Sequence, residues 1–261
     1  MSNVPEKLWN ALNLLDDLIR HGERTEHPAA PQPGEAIVSV PRPASEVTAP
    51  PPEVLTGMDD GKERLQRLAA IAERVRRCTR CPLAEGRMNA VPGEGVLDPL
   101  VMVIGEGPGA DEDRRGIPFV GRAGQYLDKW LDAIEVSRDK GAFIGNIVKC
   151  RPPGNRDPKP SESDACMPYL REQLELIRPK TILSVGRIAS GLLIGTSAGI
   201  GRLRGKTYYY DGIPLIPTYH PSGVLRNPDL RRPVWEDLKR LVALLQTVGE
   251  TAGADEEHPS A

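Results

Sequence analysis

The chain of 261 residues is poor in several residue types, and each scarcity narrows what it can be. Aromatic residues make up 4% of the sequence, and no apolar run is long enough to span a membrane. The N-terminus lacks the basic stretch, apolar run and cleavage site of a secretory signal, so we expect a cytoplasmic protein. A hydrophobic content of 39% is nevertheless sufficient for a substantial core.

Only four cysteines are present, and their spacing predicts a metal or cluster site. Cys78 and Cys81 form a C-x-x-C turn, which aims two sulfur atoms at one point. Cys150 and Cys166 follow after a long gap and would complete a four-thiolate cage. Two disulfides or four unrelated buried thiols are the alternatives, and the absence of a secretory signal disfavours the disulfides. Spacing alone does not separate zinc from an iron–sulfur cluster.

The formal net charge of -2 conceals an uneven distribution along the chain. Residues 1–60 contain four basic and ten acidic residues, and residues 246–261 contain no basic and four acidic residues. Residues 61–245 therefore hold 30 basic and 22 acidic residues. A basic middle segment between acidic ends indicates a polyanionic ligand, with merely scattered surface charge as the alternative.

The pattern along the chain predicts four segments. Residues 1–22 form an amphipathic helix with Leu8, Leu12, Leu15 and Ile19 on its apolar face. Residues 23–60 form a flexible Pro-rich linker, residues 61–248 a catalytic domain, and residues 249–261 a disordered acidic tail. Because a long linker weakens docking of the helix onto its own domain, we hypothesise that the helix binds a protein partner.

Strands and helices alternate within the predicted domain. The sequence predicts strands at 100–105, 142–149 and 180–186, a hairpin of 206–210 with 213–218, and helices from about 61 to Cys78 and at 122–136, 161–177, 187–194 and 231–248. Asp211-Gly212 is the turn signal of the hairpin. This alternation predicts an α/β protein, a three-layer α/β/α sandwich around a central, mainly parallel four-stranded sheet.

Ligands of open α/β sheets bind at the C-terminal ends of the strands, and the first such end carries GEGPGADED at residues 105–113. The glycines formally satisfy a dinucleotide-binding fingerprint. Pro108 in the turn and three consecutive acids after it disfavour a pyrophosphate, however. We expect the glycines to let a flat ligand approach the backbone, and Glu106 or a later acid to orient water or stabilise a cationic transition state.

Two further strand ends carry polar side chains. Asn146 ends one strand, where its amide can read the edge of a base or cap a loop. His220 follows the hairpin, and it is the sole imidazole available to the folded domain. The other three histidines lie in the predicted terminal segments: His21, His27 and His258. This scarcity makes His220 a candidate catalytic residue.

Three motifs and their order point to one family. GEGPGADED is followed by PFVGRAG at 118–124, then by NIVKCRPPGNRDP at 146–158 and HPSGVLRNP at 220–228, interleaved with the four cysteines. Over residues 65–248 the chain resembles the family 4 uracil-DNA glycosylases, the iron–sulfur branch of that superfamily. Gly107 stands where many members carry alanine. Residues 1–60 and the acidic tail fall outside the resemblance.

The resemblance implies a monomeric DNA repair enzyme that flips uracil out of single- or double-stranded DNA and hydrolyses its N-glycosidic bond, leaving an abasic site. It implies a [4Fe-4S] cluster of structural role on the four cysteines. It also assigns the base-binding residues, namely Gly105, Gly107, Phe119, Asn146 and Ser222, with Phe119 as the stacking platform and Asn146 as the reader of uracil O4 and N3–H.

The same resemblance assigns the catalytic and DNA-binding residues. His220 would donate a hydrogen bond to uracil O2, and Glu106 would place the attacking water or stabilise the sugar oxocarbenium ion. Glu112 is the next candidate for that role. Leu225 would act as a wedge in the minor groove and Arg226 as a phosphate contact.

Two other functions stay open at this point. A relative of the family bonds covalently to the abasic sugar through a histidine in an additional basic loop, but the chain has no histidine between Cys81 and His220. A DNA-damage binding module without catalysis, or a polymerase-associated adaptor that uses the N-terminal helix, is a candidate of a different class. The acids of the first motif favour an active enzyme, and a uracil-release assay separates the cases.

Overall fold

The computed structural model describes the backbone of residues 38–39 and 60–253 and the side chains of residues 60–246. The strands are β1 (Val38–Ser39), β2 (Glu94–Gly95), β3 (Val101–Gly105), β4 (Ala142–Asn146), β5 (Thr181–Val185), β6 (Tyr208–Tyr210) and β7 (Ile213–Thr218). The helices are α1 (Asp60–Arg76), α2 (Leu83–Gly86), α3 (Ala110–Arg115), α4 (Arg122–Asp132), α5 (Pro160–Ile177), α6 (Arg187–Ile194), α7 (Ile200–Leu203), α8 (Pro221–Arg226) and α9 (Arg231–Gly253). Short 3₁₀ turns occupy Pro153–Asn155 and Pro228–Leu230. The predicted N-terminal helix, nearly all of the linker and the end of the tail lie outside the described residues.

A parallel sheet forms the centre of the domain. Strands β7, β5, β3 and β4 are adjacent in that order and all run in the same direction. Every side chain of β3, β4 and β5 is buried, because helices cover both faces of the sheet. The predicted three-layer architecture with a mainly parallel sheet is confirmed.

Two cores lie on opposite faces of this sheet, as the alternation of side chains along a strand requires. Met102 and Ile104 of β3 face the core that contains α1, α5 and α6, and the cysteines lie at its border. Val101 and Val103 face the core that α4 and α9 cover. The cysteines and the C-terminal helix are therefore separated by the sheet.

Three short strands, β1, β2 and β6, extend the sheet to seven strands among the described residues. The predicted hairpin is present, with β6 antiparallel to β7 and with positive φ at both Asp211 and Gly212. β2 pairs with β4 in antiparallel fashion, and β1 pairs with β6 in parallel. The sequence did not predict β1 and β2, because two residues are too few to produce an alternation pattern. β1 lies within the predicted linker.

Some element ends differ from the predicted ones. The helix α4 ends at Asp132 instead of 136, because Glu135 adopts a left-handed conformation and the Val136 N–H returns to the Leu131 carbonyl. The strand β4 ends at Asn146 instead of 149. The main-chain N–H groups of Ile147 and Val148 still donate to the carbonyls of Gly105 and Glu106.

Among the helices of the described residues, none has the length and apolar character needed to cross a membrane.

Candidate active site and cysteine cluster

A cavity of about 460 Å³ opens at the C-terminal ends of the parallel strands, where the topology brings four loops together. These loops follow β3, β4, β5 and β7. Eight of the residues predicted from the sequence line it, namely Glu106, Gly107, Glu112, Phe119, Asn146, His220, Ser222 and Arg226. The remaining two non-cysteine residues of that prediction, Gly105 and Leu225, are not part of the lining. The three motifs thus meet at one site although they are far apart in sequence.

Asn146 presents an unpaired acceptor at this site. The residue is 1% exposed, and its Oδ1 has no hydrogen-bond partner among the described residues. Gly105 lies directly behind it, where a Cβ atom would approach Asn146 Oδ1 to 2.5 Å and Phe119 Cζ to 2.6 Å. The glycine is required here because any side chain would displace both groups. A buried polar atom without a partner is costly in a folded protein, which indicates that a ligand satisfies it.

The ring of Phe119 lies next to the imidazole of His220, with centroids 5.7 Å apart and planes tilted by 31°. Phe119 has a φ of 51°, which is unusual for a bulky residue. Arg138 fixes this backbone by donating to the carbonyls of Pro118, at 2.8 Å, and of Phe119. Gly124 permits close packing, since a Cβ there would lie 1.8 Å from the Phe119 carbonyl oxygen. The sequence did not point to Arg138, because it lies outside the three motifs.

His220 is neutral and has a defined tautomer. Its Nδ1 lies 3.2 Å from the Ser222 main-chain nitrogen and 2.8 Å from Ser222 Oγ. Because the N–H can only donate, Nδ1 accepts, and the ring proton is carried by Nε2. Burial lowers the pKa of His220 to about 4, and Arg226 acts in the same direction while Glu112 opposes them. The imidazole therefore stays uncharged at neutral pH.

The pKa of Glu106 is shifted in the opposite direction to that of His220. Burial raises its pKa to about 7, the nearby Asp157 carboxylate adds to the increase, and Arg187 opposes it. Arg187 forms an ion pair with Asp157, and both line the cavity. The sequence prediction did not select these two residues. Arg187 begins the helix after β5, so the rule that strand ends carry the site would have indicated it.

The carboxylate of Glu112 accepts hydrogen bonds from the main chain of two loops beside the cavity. Its Oε1 accepts hydrogen bonds from the main-chain nitrogens of Val120 and Gly121, each at 2.9 Å, and its Oε2 accepts one from Gly109 at 3.0 Å. Three donors occupy this carboxylate, which joins the loop after β3 to the loop before α4. Glu106 has no such bonds in the described part of the chain and is the freer of the two acids.

The two residues predicted to contact DNA lie on the short helix α8. Leu225 is 40% exposed, and Arg226 borders the cavity. They follow His220 by five and six residues, so both lie beside the mouth of the cavity.

The four cysteines line a second, enclosed cavity formed by the end of α1, α2, the segment after β4, and α5. All four are free thiols. Arg87 Nη1 donates to Cys150 Sγ at 3.0 Å, and the Lys149 main-chain N–H donates to Cys166 Sγ at 3.2 Å. Among the described residues, no three His, Cys, Asp or Glu side chains converge closely enough to hold a single metal ion. The four thiols nevertheless line one common cavity.

Comparisons with known proteins agree with this arrangement. Residues 92–239 match the family model of the uracil DNA glycosylase superfamily. The chain is 42% identical over 190 residues to a type-4 uracil-DNA glycosylase of Thermotoga maritima, covering 71% of this chain and 98% of the relative. A type-4 enzyme of Saccharolobus solfataricus is 42% identical over 191 residues, with 70% and 88% covered. One of Pyrobaculum aerophilum is 44% identical over 179 residues, with 66% and 91% covered.

Proposed function

The chain belongs to the uracil-DNA glycosylase superfamily, in its type-4 branch, and we propose that it repairs DNA by releasing uracil and leaving an abasic site. The observation that carries this proposal is the buried, unpaired Oδ1 of Asn146 in the wall of the 460 Å³ cavity. A base within a duplex cannot reach such a site, so the nucleotide must first be flipped out of the helix.

Base recognition would depend on Asn146 and Phe119. Uracil presents a donor at N3–H and an acceptor at O4, and an amide offers the complementary acceptor and donor. Cytosine has an acceptor at N3, which would face Asn146 Oδ1 without a proton between them. The Phe119 ring supports the face of the base, since stacking on an aromatic ring is favourable for any base. The amide therefore supplies the selectivity and the ring supplies affinity.

The leaving group would be stabilised by His220. When the bond between N1 and C1′ breaks, its electron pair stays with the base, and negative charge spreads to O2 and O4. The Nε2–H of the neutral imidazole donates to O2, and this hydrogen bond strengthens as the charge develops. A neutral donor is suitable here because it needs no proton from solvent at neutral pH.

Glu106 would act on the sugar side of the bond. As a carboxylate it stabilises the positive charge that develops at C1′, and it accepts a proton from the water whose oxygen bonds to C1′. The abasic sugar then carries a hydroxyl group at C1′, and the uracil anion takes up a proton on release. The hydrogen-bonded carboxylate of Glu112 would hold the loops in place during these steps.

Residues 61–248 would form the catalytic domain, and α8 would meet the DNA. Arg226 is expected to contact a phosphate, and Leu225 to enter the space that the flipped nucleotide leaves. Exposure of Leu225 and the excess of basic residues between 61 and 245 support this orientation.

The four cysteines would hold a [4Fe-4S] cluster. All four thiols are free and line one cavity, and four thiolates are the ligand set that such a cluster takes. Zinc also accepts four thiolates, and the metal content of the purified protein separates the two. Bound there, the cluster would cross-link α1, α5 and the segment after β4. Hydrolysis of this bond needs no electron transfer, so its role is structural.

A release assay tests the proposal. Oligonucleotides that carry one uracil, cytosine or thymine are incubated with the purified protein, and the free base and the alkali-labile abasic site are measured. We expect uracil to be released in large preference to the other two. Binding of uracil-containing DNA without release would instead indicate a damage-binding module. A brown protein with four iron atoms per chain would support the cluster, whereas a colourless protein with one zinc would contradict it.

A further inference from the structure

Lys149 is a fully buried charged residue at the rear of the proposed base site. It is 1% exposed and follows Asn146 by three residues. Its Nζ donates to the main-chain carbonyl of Asn146 at 2.9 Å and to Gln173 Oε1 at 2.7 Å. The ammonium therefore holds the backbone of the residue whose side-chain Oδ1 is unpaired in the cavity.

The same residue also contacts the cysteine cavity. Its main-chain N–H donates to Cys166 Sγ at 3.2 Å, it precedes Cys150, and it lines the cavity that the four cysteines share. Cys166 and Gln173 lie seven residues apart on α5, which is two turns along one face of the helix. One face of α5 therefore contacts Lys149 at both the main chain and the side chain.

Hydrogen bonds connect the two sites through α5. The main-chain N–H of Lys149 donates to Cys166 Sγ, and its Nζ donates to Gln173 Oε1 on the same helix and to the Asn146 carbonyl. The position of α5 therefore sets the position of both ends of Lys149, and through Nζ that of the Asn146 main chain.

We propose that Lys149 is a positioning residue that couples the cysteine cluster to uracil recognition by fixing the main chain of Asn146. This inference rests on the proposed function. A cluster on the four thiols would fix α5 against Lys149, whose Nζ holds the Asn146 carbonyl. Without the lysine side chain, that carbonyl loses its donor and the amide is no longer fixed against the base.

The test compares Lys149→Met, which preserves length without charge, with Lys140→Met, the same change at an exposed lysine before β4. Free uracil is measured as a competitive inhibitor, and single-turnover release is measured from DNA with uracil or cytosine. Visible absorption and affinity for abasic DNA are followed in parallel. We expect Lys149→Met to keep the absorption and the abasic-DNA affinity, to bind uracil about 10-fold or more weakly, and to lose discrimination against cytosine. Lys140→Met should match the wild type.

Uracil affinity within twofold of the wild type in a Lys149→Met protein that retains its absorption would overturn the proposal. Should that variant fail to fold, Gln173→Met is measured instead, since it removes one of the two acceptors of Lys149 Nζ and leaves the lysine in place. Weaker uracil binding with intact absorption then supports the proposal, and unchanged binding overturns it. Absence of uracil release by the wild type would refute the proposed function and not the coupling.

Discussion

At the scale of single residues, burial shifts the pKa values of Glu106 and His220 in opposite directions. It raises the carboxyl pKa of Glu106 to about 7 and lowers the imidazole pKa of His220 to about 4. Above pH 7 the acid is therefore ionised and the imidazole is neutral, which is the combination that the proposed chemistry needs. Between pH 5 and 7, Glu106 therefore changes its charge and His220 does not.

The first prediction concerns this pH dependence. The single-turnover rate of uracil release should rise with pH and level off above about 7, because protonated Glu106 cannot accept a proton. Asp157→Asn should move the inflection to lower pH, since it removes a negative neighbour that raises the Glu106 pKa. Glu106→Gln should lower the rate by about 100-fold or more and remove the inflection. A rate that does not vary between pH 5 and 9 would refute the assignment.

The second prediction concerns the space behind Asn146. Gly105→Ala would place a Cβ 2.5 Å from Asn146 Oδ1 and 2.6 Å from Phe119 Cζ. Both groups must move, so we expect uracil release to fall by about 10-fold or more with a smaller effect on DNA affinity. Gly199→Ala is the matched control, since a Cβ added there would have no neighbouring atom within 4 Å. Equal losses in both variants would contradict the argument.

Individual residues were predictable where a sequence motif carried them. Asn146, His220 and Phe119 lie in motifs whose order is diagnostic, and they line the cavity. Glu112 belongs to the same acidic run as Glu106, and only tertiary contacts separate their roles. Lys149 and Asp157 lie in the motif at 146–158, but their contacts with Gln173 and Arg187 are made across the fold, and no local pattern reveals them. Arg138 lies outside the motifs.

At the scale of elements, Asp237 joins α9 to the end of β7. The residue is fully buried and accepts hydrogen bonds from Arg204 Nε at 2.9 Å, Thr218 Oγ1 at 2.7 Å and the Gly205 main-chain nitrogen at 3.1 Å. The strand β7 leads directly into the His220 loop. This carboxylate therefore anchors the element that carries the proposed leaving-group donor.

The third prediction follows from that contact. Asp237→Ala should lower the free energy of unfolding by about 3 kcal/mol, because it leaves the half-buried guanidinium of Arg204 and the buried Thr218 hydroxyl without this acceptor. Chemical denaturation measures the change. Glu175→Ala, at an exposed position on α5, should change it by less than about 0.5 kcal/mol. A loss at Asp237 as small as that at Glu175 would show that the contact contributes little.

Elements with a clear hydrophobic period were predicted well, and short ones were not. The helix α6 has the predicted bounds, three of the parallel strands were predicted from their apolar runs, and β7 was predicted from the Asp211-Gly212 turn that precedes it. β1 and β2 exist only through pairing with β6 and β4. Their two residues carry no intrinsic signal, so tertiary context alone creates them.

At the scale of the whole molecule, the fourth prediction separates the N-terminal segment from the domain. Deletion of residues 1–59 removes β1, which contributes one two-residue pairing, and retains α1 with the ion pair of Asp60 to Arg178. We expect unchanged uracil release on short oligonucleotides and unchanged visible absorption. Loss of either would show that the segment belongs to the catalytic unit. A partner for the predicted helix with Leu8, Leu12, Leu15 and Ile19, like the monomeric state, stays a prediction.

The fifth prediction concerns the charge of the domain. Affinity for DNA should fall as salt rises, because basic residues displace counterions from the phosphates. Arg226→Gln should reduce the slope of log affinity against log salt by about 1. Arg178→Gln, beyond the C-terminal end of α5 and before β5, should leave the slope unchanged. Equal slopes in all three proteins would remove Arg226 from the DNA interface.

The cysteines are spread along the chain from Cys78 to Cys166, and this spread sets an order of assembly during synthesis. Because the N-terminal part of a chain leaves the ribosome first, Cys78 and Cys81 emerge with half of a ligand set. The set becomes complete only when α5 has emerged with Cys166. At that moment the segment that carries His220 has not yet emerged. A nascent chain would therefore be able to acquire the proposed cluster before it can excise a base, and it would be a metalloprotein before it becomes an enzyme.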